Sequence, residues 1–287
     1  MMEIINQWIA LLTSVILWLC SLLSIPVFPS GETVDMDKFT LTFADEFEGE
    51  LDRSVWSGHY QYGNKTVSRK GSYWNQYLAE TKDGNLVIPV VYLEDGMGGE
   101  GAGWYTAGID TDADSPNGFS QKFGYFECRC ILPEGADVWS AFWLMNSGVF
   151  DVDGNGKDGT EIDIFESDRY GDFPSNCVTS NLHFDGYGDA HQKLGAQAFL
   201  LKNNPYKEYN TYGLEWNEDE YIFYINGKET GRSTFGGASE VEEYLILSVE
   251  VGGSNGTAAD SWAGSALQND AKPTDFIVDY VRVYQYK

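Results

Sequence analysis

Glu161-Ile162-Asp163-Ile164-Phe165-Glu166 is the stretch on which the fold is decided. Three carboxylates are interleaved with large apolar residues, although acidic residues are depleted from strands. In a regular strand Glu161 and Asp163 share one face and Glu166 points to the other. One bulged residue at Ile164 or Phe165 restores the period and returns Glu166 to the face of the other two. The two glutamate Cα atoms then lie about 13 Å apart along the strand, and side chains leaning together close that gap to several ångströms.

Crowded carboxylates raise one another's pKa, so one can stay ionised while another keeps its proton. Nucleophilic and acid–base chemistry needs that pairing. Retaining glycosidases hold two carboxyl groups about 5–5.5 Å apart, and inverting ones roughly 6.5–9.5 Å apart. The expected spacing permits the first arrangement. The competing reading is an acidic strand end turned to solvent.

Outward from this strand, short alternating segments recur between turn residues. Strands are expected at 39–43, at 85–88 after an Asp83-Gly84 turn, and at 123–132, 138–145 and 160–166. Further strands are expected at 221–225 before Asn226-Gly227, a two-residue hairpin signal, and at 244–251 and 276–286. Long helical periodicity is absent. The pattern predicts an all-β sandwich of two antiparallel sheets. The polar, glycine-rich stretch 252–272 reads as a surface loop over a cleft.

The acidic strand resembles the bulged Glu-x-Asp-x-x-Glu signature of glycoside hydrolase family 16. So do Phe123-Gly124-Tyr125-Phe126-Glu127, Trp139-Ser140-Ala141-Phe142-Trp143-Leu144-Met145, Tyr212-Gly213-Leu214-Glu215-Trp216 and Val278-Asp279-Tyr280-Val281-Arg282-Val283-Tyr284, in the family's order over residues 38–287. The resemblance implies a concanavalin A-like β-jelly roll with a concave substrate cleft. It also implies Glu161 as nucleophile, Glu166 as acid/base and Asp163 as their electrostatic neighbour. The bulged spacing is similar to the laminarinase, agarase and carrageenase branches. Where laminarinase-like members often carry a Ser-Gly-Arg-like segment, this chain reads Thr106-Ala107-Gly108-Ile109-Asp110.

Trp139, Ala141, Trp143 and Met145 share one strand face, and Ser140, Phe142 and Leu144 the other. With the second set in the core, Trp139 and Trp143 face the cleft, where indoles stack on sugar rings. Trp262, in the polar loop, is a further substrate-binding candidate. Trp74 and Asn75 fall where family members contact sugars. His183 follows the acidic strand and is expected to hydrogen-bond a site carboxylate or a sugar; an ordinary satisfied histidine is the alternative. His59 and His191 lack comparable context, and no zinc site is expected.

Asp151-Val152-Asp153-Gly154-Asn155-Gly156-Lys157-Asp158 opens like an EF-hand loop. Its twelfth position is Ile162, where a bidentate Glu is required. A flexible acidic loop is the simpler reading and an irregular calcium site the other. The chemistry requires no cofactor; a structural calcium stays compatible with the family resemblance.

The 287 residues carry 44 acidic and 18 basic side chains, a formal net charge of −26. Such a field repels phosphate backbones, which excludes nucleic acid as a partner and favours a neutral polysaccharide. Aromatics at 15% supply a large core. Residues 8–28 form an uncharged apolar run long enough for an export signal or a membrane anchor. The domain reading is therefore 1–30 as signal peptide or anchor and 31–287 as catalytic domain, in a secreted or membrane-tethered monomer. Cys128 and Cys130 sit two apart in one strand, where a mutual bridge is strained, so one of them is free to pair with Cys177.

These features predict a retaining endo-glycanase acting on β-1,3- or mixed β-1,3/1,4-glucan. The alternatives are a hydrolase of β-galactans, agar-type or host O-glycans, and a lectin-like sandwich that binds without cutting. Sulfated chains would need a cationic cleft, for which Ser68-Arg69-Lys70 is the nearby candidate.

Overall fold

The computed structural model describes residues 27–58, 65–112, 114–135, 137–168, 170, 174–194, 197–254, 257–258 and 273–287. The apolar leader (except its last residues), His59 and most of the 252–272 stretch lie outside them.

Two antiparallel sheets face each other. The first runs in the order Gln192–Lys193, Cys177–Phe184, Glu161–Glu166, Val138–Met145, Glu243–Val251, Gly108–Asp110. The second runs Lys228–Ser233, Tyr221–Ile225, Asn210–Trp216, Gly124–Ile131, Phe276–Tyr286, Asn85–Ile88, Glu80–Lys82, with Phe39–Asp45 also paired to Phe276–Tyr286. The sequence expectation of an all-β, two-sheet sandwich holds. A smaller sheet, Val67–Arg69, Ser72–Trp74, Gly103–Thr106 and Val91–Leu93, includes one parallel pair and was not foreseen.

Strand alternation sorts side chains between the core and the opposite face. In Glu243–Val251, Leu245, Leu247, Val249 and Val251 join the inter-sheet core, while Ile246 lies in a separate cluster and Ser248 and Glu250 line a cleft. Phe142 and Leu144 point inward as expected, and Trp139 and Trp143 point to the cleft. Across the core, the Phe165 ring meets Tyr212 of the second sheet at 4.3 Å between centroids. Each such side chain, taken from water, contributes about 1.5–3 kcal/mol.

The turns follow their chemistry. Asn226-Gly227 and Asp83-Gly84 adopt positive φ at both positions (50° and 69°; 52° and 73°) and close two-residue hairpins. Gly124 enters its strand at φ 114°, and a Cβ there would stand 2.0 Å from the Tyr284 carbonyl oxygen. Only glycine fits that approach.

Cys128 and Cys130 are free thiols in the inter-sheet core. Cys177 precedes the core residue Val178 in its strand and so faces the opposite side of its sheet. The pairing allowed by the sequence is therefore not made, because the strand's alternation turns Cys177 away from the other two.

Candidate active site

The bulge sits where the sequence required it. Asp163 pairs with Asn181 and Glu166 with Thr179, so three steps on the acidic strand match two on its neighbour. On the other side Trp143 pairs with Asp163 and Phe142 with Phe165, which leaves Ile164 as the extra residue. Ile164 and Phe165, successive in sequence, both bury in the core. Two large apolar side chains competing for one face are accommodated only by breaking the alternation, and the break returns Glu166 to the cleft.

Glu161, Asp163 and Glu166 thus line a single cleft of about 750 Å³ on the face of the first sheet away from the core. Trp139, Ala141 and Trp143 form its floor on the adjacent strand, with Asn181 and His183 on the other side. The Trp143 indole N–H donates to Ser248 Oγ at 3.1 Å, which fixes the ring. Arg69 and Lys70 of the small sheet and its following turn reach the cleft, as do Tyr187, His191 and Lys193.

Burial governs the electrostatics. Glu161 is pushed up to about 7, by desolvation first and then by the Asp163 charge, while His183, Tyr187 and Arg69 pull it down. Desolvation, followed by Glu250, raises Asp163 to about 8. Glu166 stands well above the ordinary carboxylate range through desolvation, with Asp163, Asp168 and Glu161 adding to it; the Asn181 amide donates to its Oε2 and opposes the shift. Burial thus raises all three carboxyls, and Glu166 has the most carboxylate neighbours of the three.

His183 lies opposite Glu161 in the strand register, with Nε2 3.3 Å from Asp163 Oδ2 and 4.0 Å from Glu161 Oε1. Its Nδ1 is 2.9 Å from His191 Nε2, and the two rings stack with centroids 5.1 Å apart. His191 has no motif around it in the sequence; the turn after Phe184 folds it back over His183. Burial, then His183 and Lys193, lower the pKa of His191.

The other sequence candidates are placed differently. Trp74 packs with Ala141, Trp143 and Met145 on the same side of the sheet, but its indole N–H is bonded to Val249 O at 2.7 Å and it does not line the cleft. Asn75 caps a short 3₁₀ turn, accepting from Tyr77 N at 3.0 Å and donating to Thr66 Oγ1 at 2.8 Å; it too is outside the lining. Trp262 lies outside the described residues.

Sequence reasoning missed Asn181, Tyr187 and Glu250. Asn181 was legible, since it shares a strand face with His183. Glu250 is 4% exposed and holds Arg69 through one oxygen, Oε1, at 2.7 Å from Nε and 2.6 Å from a terminal nitrogen. The Arg69 guanidinium also lies 5.3 Å from the centre of the Trp74 ring.

Ligand atoms of Glu161, Asp163 and His183 come within 4.8 Å of one another, the one grouping among the described residues with donors spaced for a cation. Within that grouping Asp163 Oδ2 is buried and accepts no hydrogen bond, with His183 Nε2 3.3 Å away. In the acidic loop, the Asp153 and Gly154 N–H groups donate to Asp185 Oδ1 at 3.1 Å, so the loop is tied down rather than free. Ile162, at the EF-hand twelfth position, is buried in the core.

Residues 39–286 match the family model described as Beta-porphyranase A-D, GH16 domain. The chain belongs to glycoside hydrolase family 16. It is 26% identical over 272 residues to Endo-1,3-1,4-beta-glycanase ExsH of Rhizobium meliloti (strain 1021), covering 88% of this chain and 53% of that one. This family 16 chain thus spans about half the length of that relative. Beta-porphyranase B of Zobellia galactanivorans is 26% identical over 265 residues, with 87% of each chain covered. The catalytic domain of an endo-1,3-beta-glucanase (laminarinase) from Thermotoga petrophila RKU-1 shares the fold, with TM-score 0.67, 24% identity and coverage of 87% and 98%.

Proposed function

We propose that this chain is a retaining, endo-acting glycoside hydrolase of neutral β-glucan with β-1,3 or mixed β-1,3/1,4 linkages. The observation that carries the reading is the bulge that brings Glu161, Asp163 and Glu166 to one cleft face over a tryptophan floor. Glu161 attacks the anomeric carbon as a carboxylate, while Glu166 gives its proton to the departing glycosidic oxygen. Glu166 then takes a proton from water as that water displaces Glu161 from the sugar. Asp163 lies between the two glutamates on the strand, with His183 Nε2 3.3 Å from it. No metal or organic cofactor is part of this proposal.

A second reading, hydrolysis of a β-galactan, has support from the family model and from the porphyranase relative. Of the cations that line the cleft, Arg69 is neutralised by Glu250, which leaves Lys70 and Lys193 to meet a sulfate. Export of a monomeric enzyme, by a cleaved or anchored leader, completes the proposal.

The test is product analysis of the purified protein on laminarin, mixed-linkage glucan, agarose, porphyran, carrageenan and mucin O-glycans. Short oligosaccharides from the β-glucans are expected. Cleavage confined to galactans would keep the mechanism and overturn the substrate. Binding with no cleavage would favour the lectin-like reading.

A further inference from the structure

Tyr187 stands at the mouth of the cleft, 46% exposed, on the turn that leaves the strand Cys177–Phe184. Its hydroxyl donates to Glu161 Oε2. The other oxygen, Oε1, faces His183 at 4.0 Å. An exposed tyrosine has many positions open to it, so what holds this one in place matters.

The turn is pinned from several sides. Asp185 and Gly186 take left-handed φ of 61° and 67°, which reverses the chain directly after the strand. Gly186 N donates to Val149 O at 2.6 Å, and Asp185 Oδ1 accepts from the Asp153 and Gly154 amides. The Tyr187 ring meets Phe150 edge-on at 5.8 Å and His191 at 5.4 Å. The aspartate-rich loop after Phe150 therefore acts as a brace for the Tyr187 turn, a role its calcium-like spacing did not suggest.

We infer that Tyr187 is a positioning residue, fixing the nucleophile Glu161 through one carboxylate oxygen and leaving the other for attack on the sugar. The inference rests on the hydrolase reading above. When Oε1 bonds to the anomeric carbon, the glycosidic C–O bond breaks, and its electron pair leaves on the oxygen that Glu166 protonates. Oε2 is then the ester carbonyl oxygen, still within reach of the Tyr187 hydroxyl. When water attacks, Glu166 takes its proton and the ester C–O pair returns to Glu161. Tyr187 then stabilises the carboxylate as it leaves. Its hydrogen bond favours the ionised nucleophile in both steps.

Glu161 is also faced by Asp163 and Glu166 on its own strand, His183 on the next, Arg69 from the small sheet and Glu243 across the sheet. None of these changes in a Tyr187→Phe variant, which keeps the ring and removes only the donor. The experiment compares wild type and Tyr187→Phe, full chain, on the polysaccharide that wild type cleaves, recording kcat, KM and the pH profile, with thermal melting as the folding control. The expected result is a kcat lower by about 10–100-fold, the loss of one hydrogen bond to a charged group. KM is expected to stay within about threefold, and the acid limb of the profile to move to higher pH, because the ionised nucleophile has lost a donor. A variant matching wild type would overturn the inference. So would a slower variant with an unmoved acid limb, since that marks a merely structural role. If wild type cleaves nothing on the panel, the hydrolase reading itself fails.

Discussion

Glu161 and Glu166 differ in environment more than in chemistry. Both are raised by burial, but Glu161 has the Tyr187 donor, His183 and Arg69 nearby, whereas Glu166 has three carboxylate neighbours and one amide. The first is thereby suited to ionise and the second to keep a proton. In the proposed mechanism activity requires ionised Glu161, so it should rise with pH through about 7 and fall where Glu166 loses its proton. Asp163→Asn should abolish hydrolysis while leaving the melting temperature unchanged, read from product release and thermal melting. Glu166→Gln should lower kcat about 10²–10⁴-fold with the melting temperature retained. At this scale the carboxylates were legible because the period of two pairs Glu161 with Asp163 and the bulged signature returns Glu166 to them, and His183 because it follows the acidic strand. Tyr187 and Glu250 were not, since a turn and a neighbouring strand bring them in from distant sequence. Trp74 shows the reverse case: a tryptophan near the site by sequence pattern, with its indole N–H held by Val249 O.

The acidic strand works as an element through its irregularity. Ile162, Ile164 and Phe165 all enter the core, while Asp163 and Glu166 face the cleft. Phe165→Ala, at a site with no exposure, should cost about 3–5 kcal/mol in denaturant unfolding. The bulge was readable because a signature of three carboxylates made sense on one face only. The small sheet was not readable, since its strands run three or four residues and carry too little periodicity to stand out.

The whole molecule buries several carboxyl groups within a chain of formal charge −26. Glu243 is fully buried, accepts from Thr160 N at 3.1 Å, and is raised to about 8 by desolvation. With Glu161, Asp163 and Glu166 also raised, the folded state holds protons that the unfolded chain releases above about pH 4.5. Stability is therefore greatest in mild acid and falls as pH rises through about 7 to 8. Glu243→Gln should remove up to about 1.4 kcal/mol per pH unit of that slope, read from urea unfolding between pH 5 and 8. Two-sheet architecture was legible because turn signals such as Asn226-Gly227 separate the strands. Which cysteines meet was not, since that depends on the face each strand presents.

In the proposed reaction Glu161 carries the sugar as a glycosyl ester. Incubating the protein with a 2-deoxy-2-fluoro β-laminaribioside bearing a good leaving group should trap the glycosyl ester, and peptide mass mapping should place it on Glu161. A label on Glu166 or Asp163, or turnover with inverted products and no label, would contradict the account.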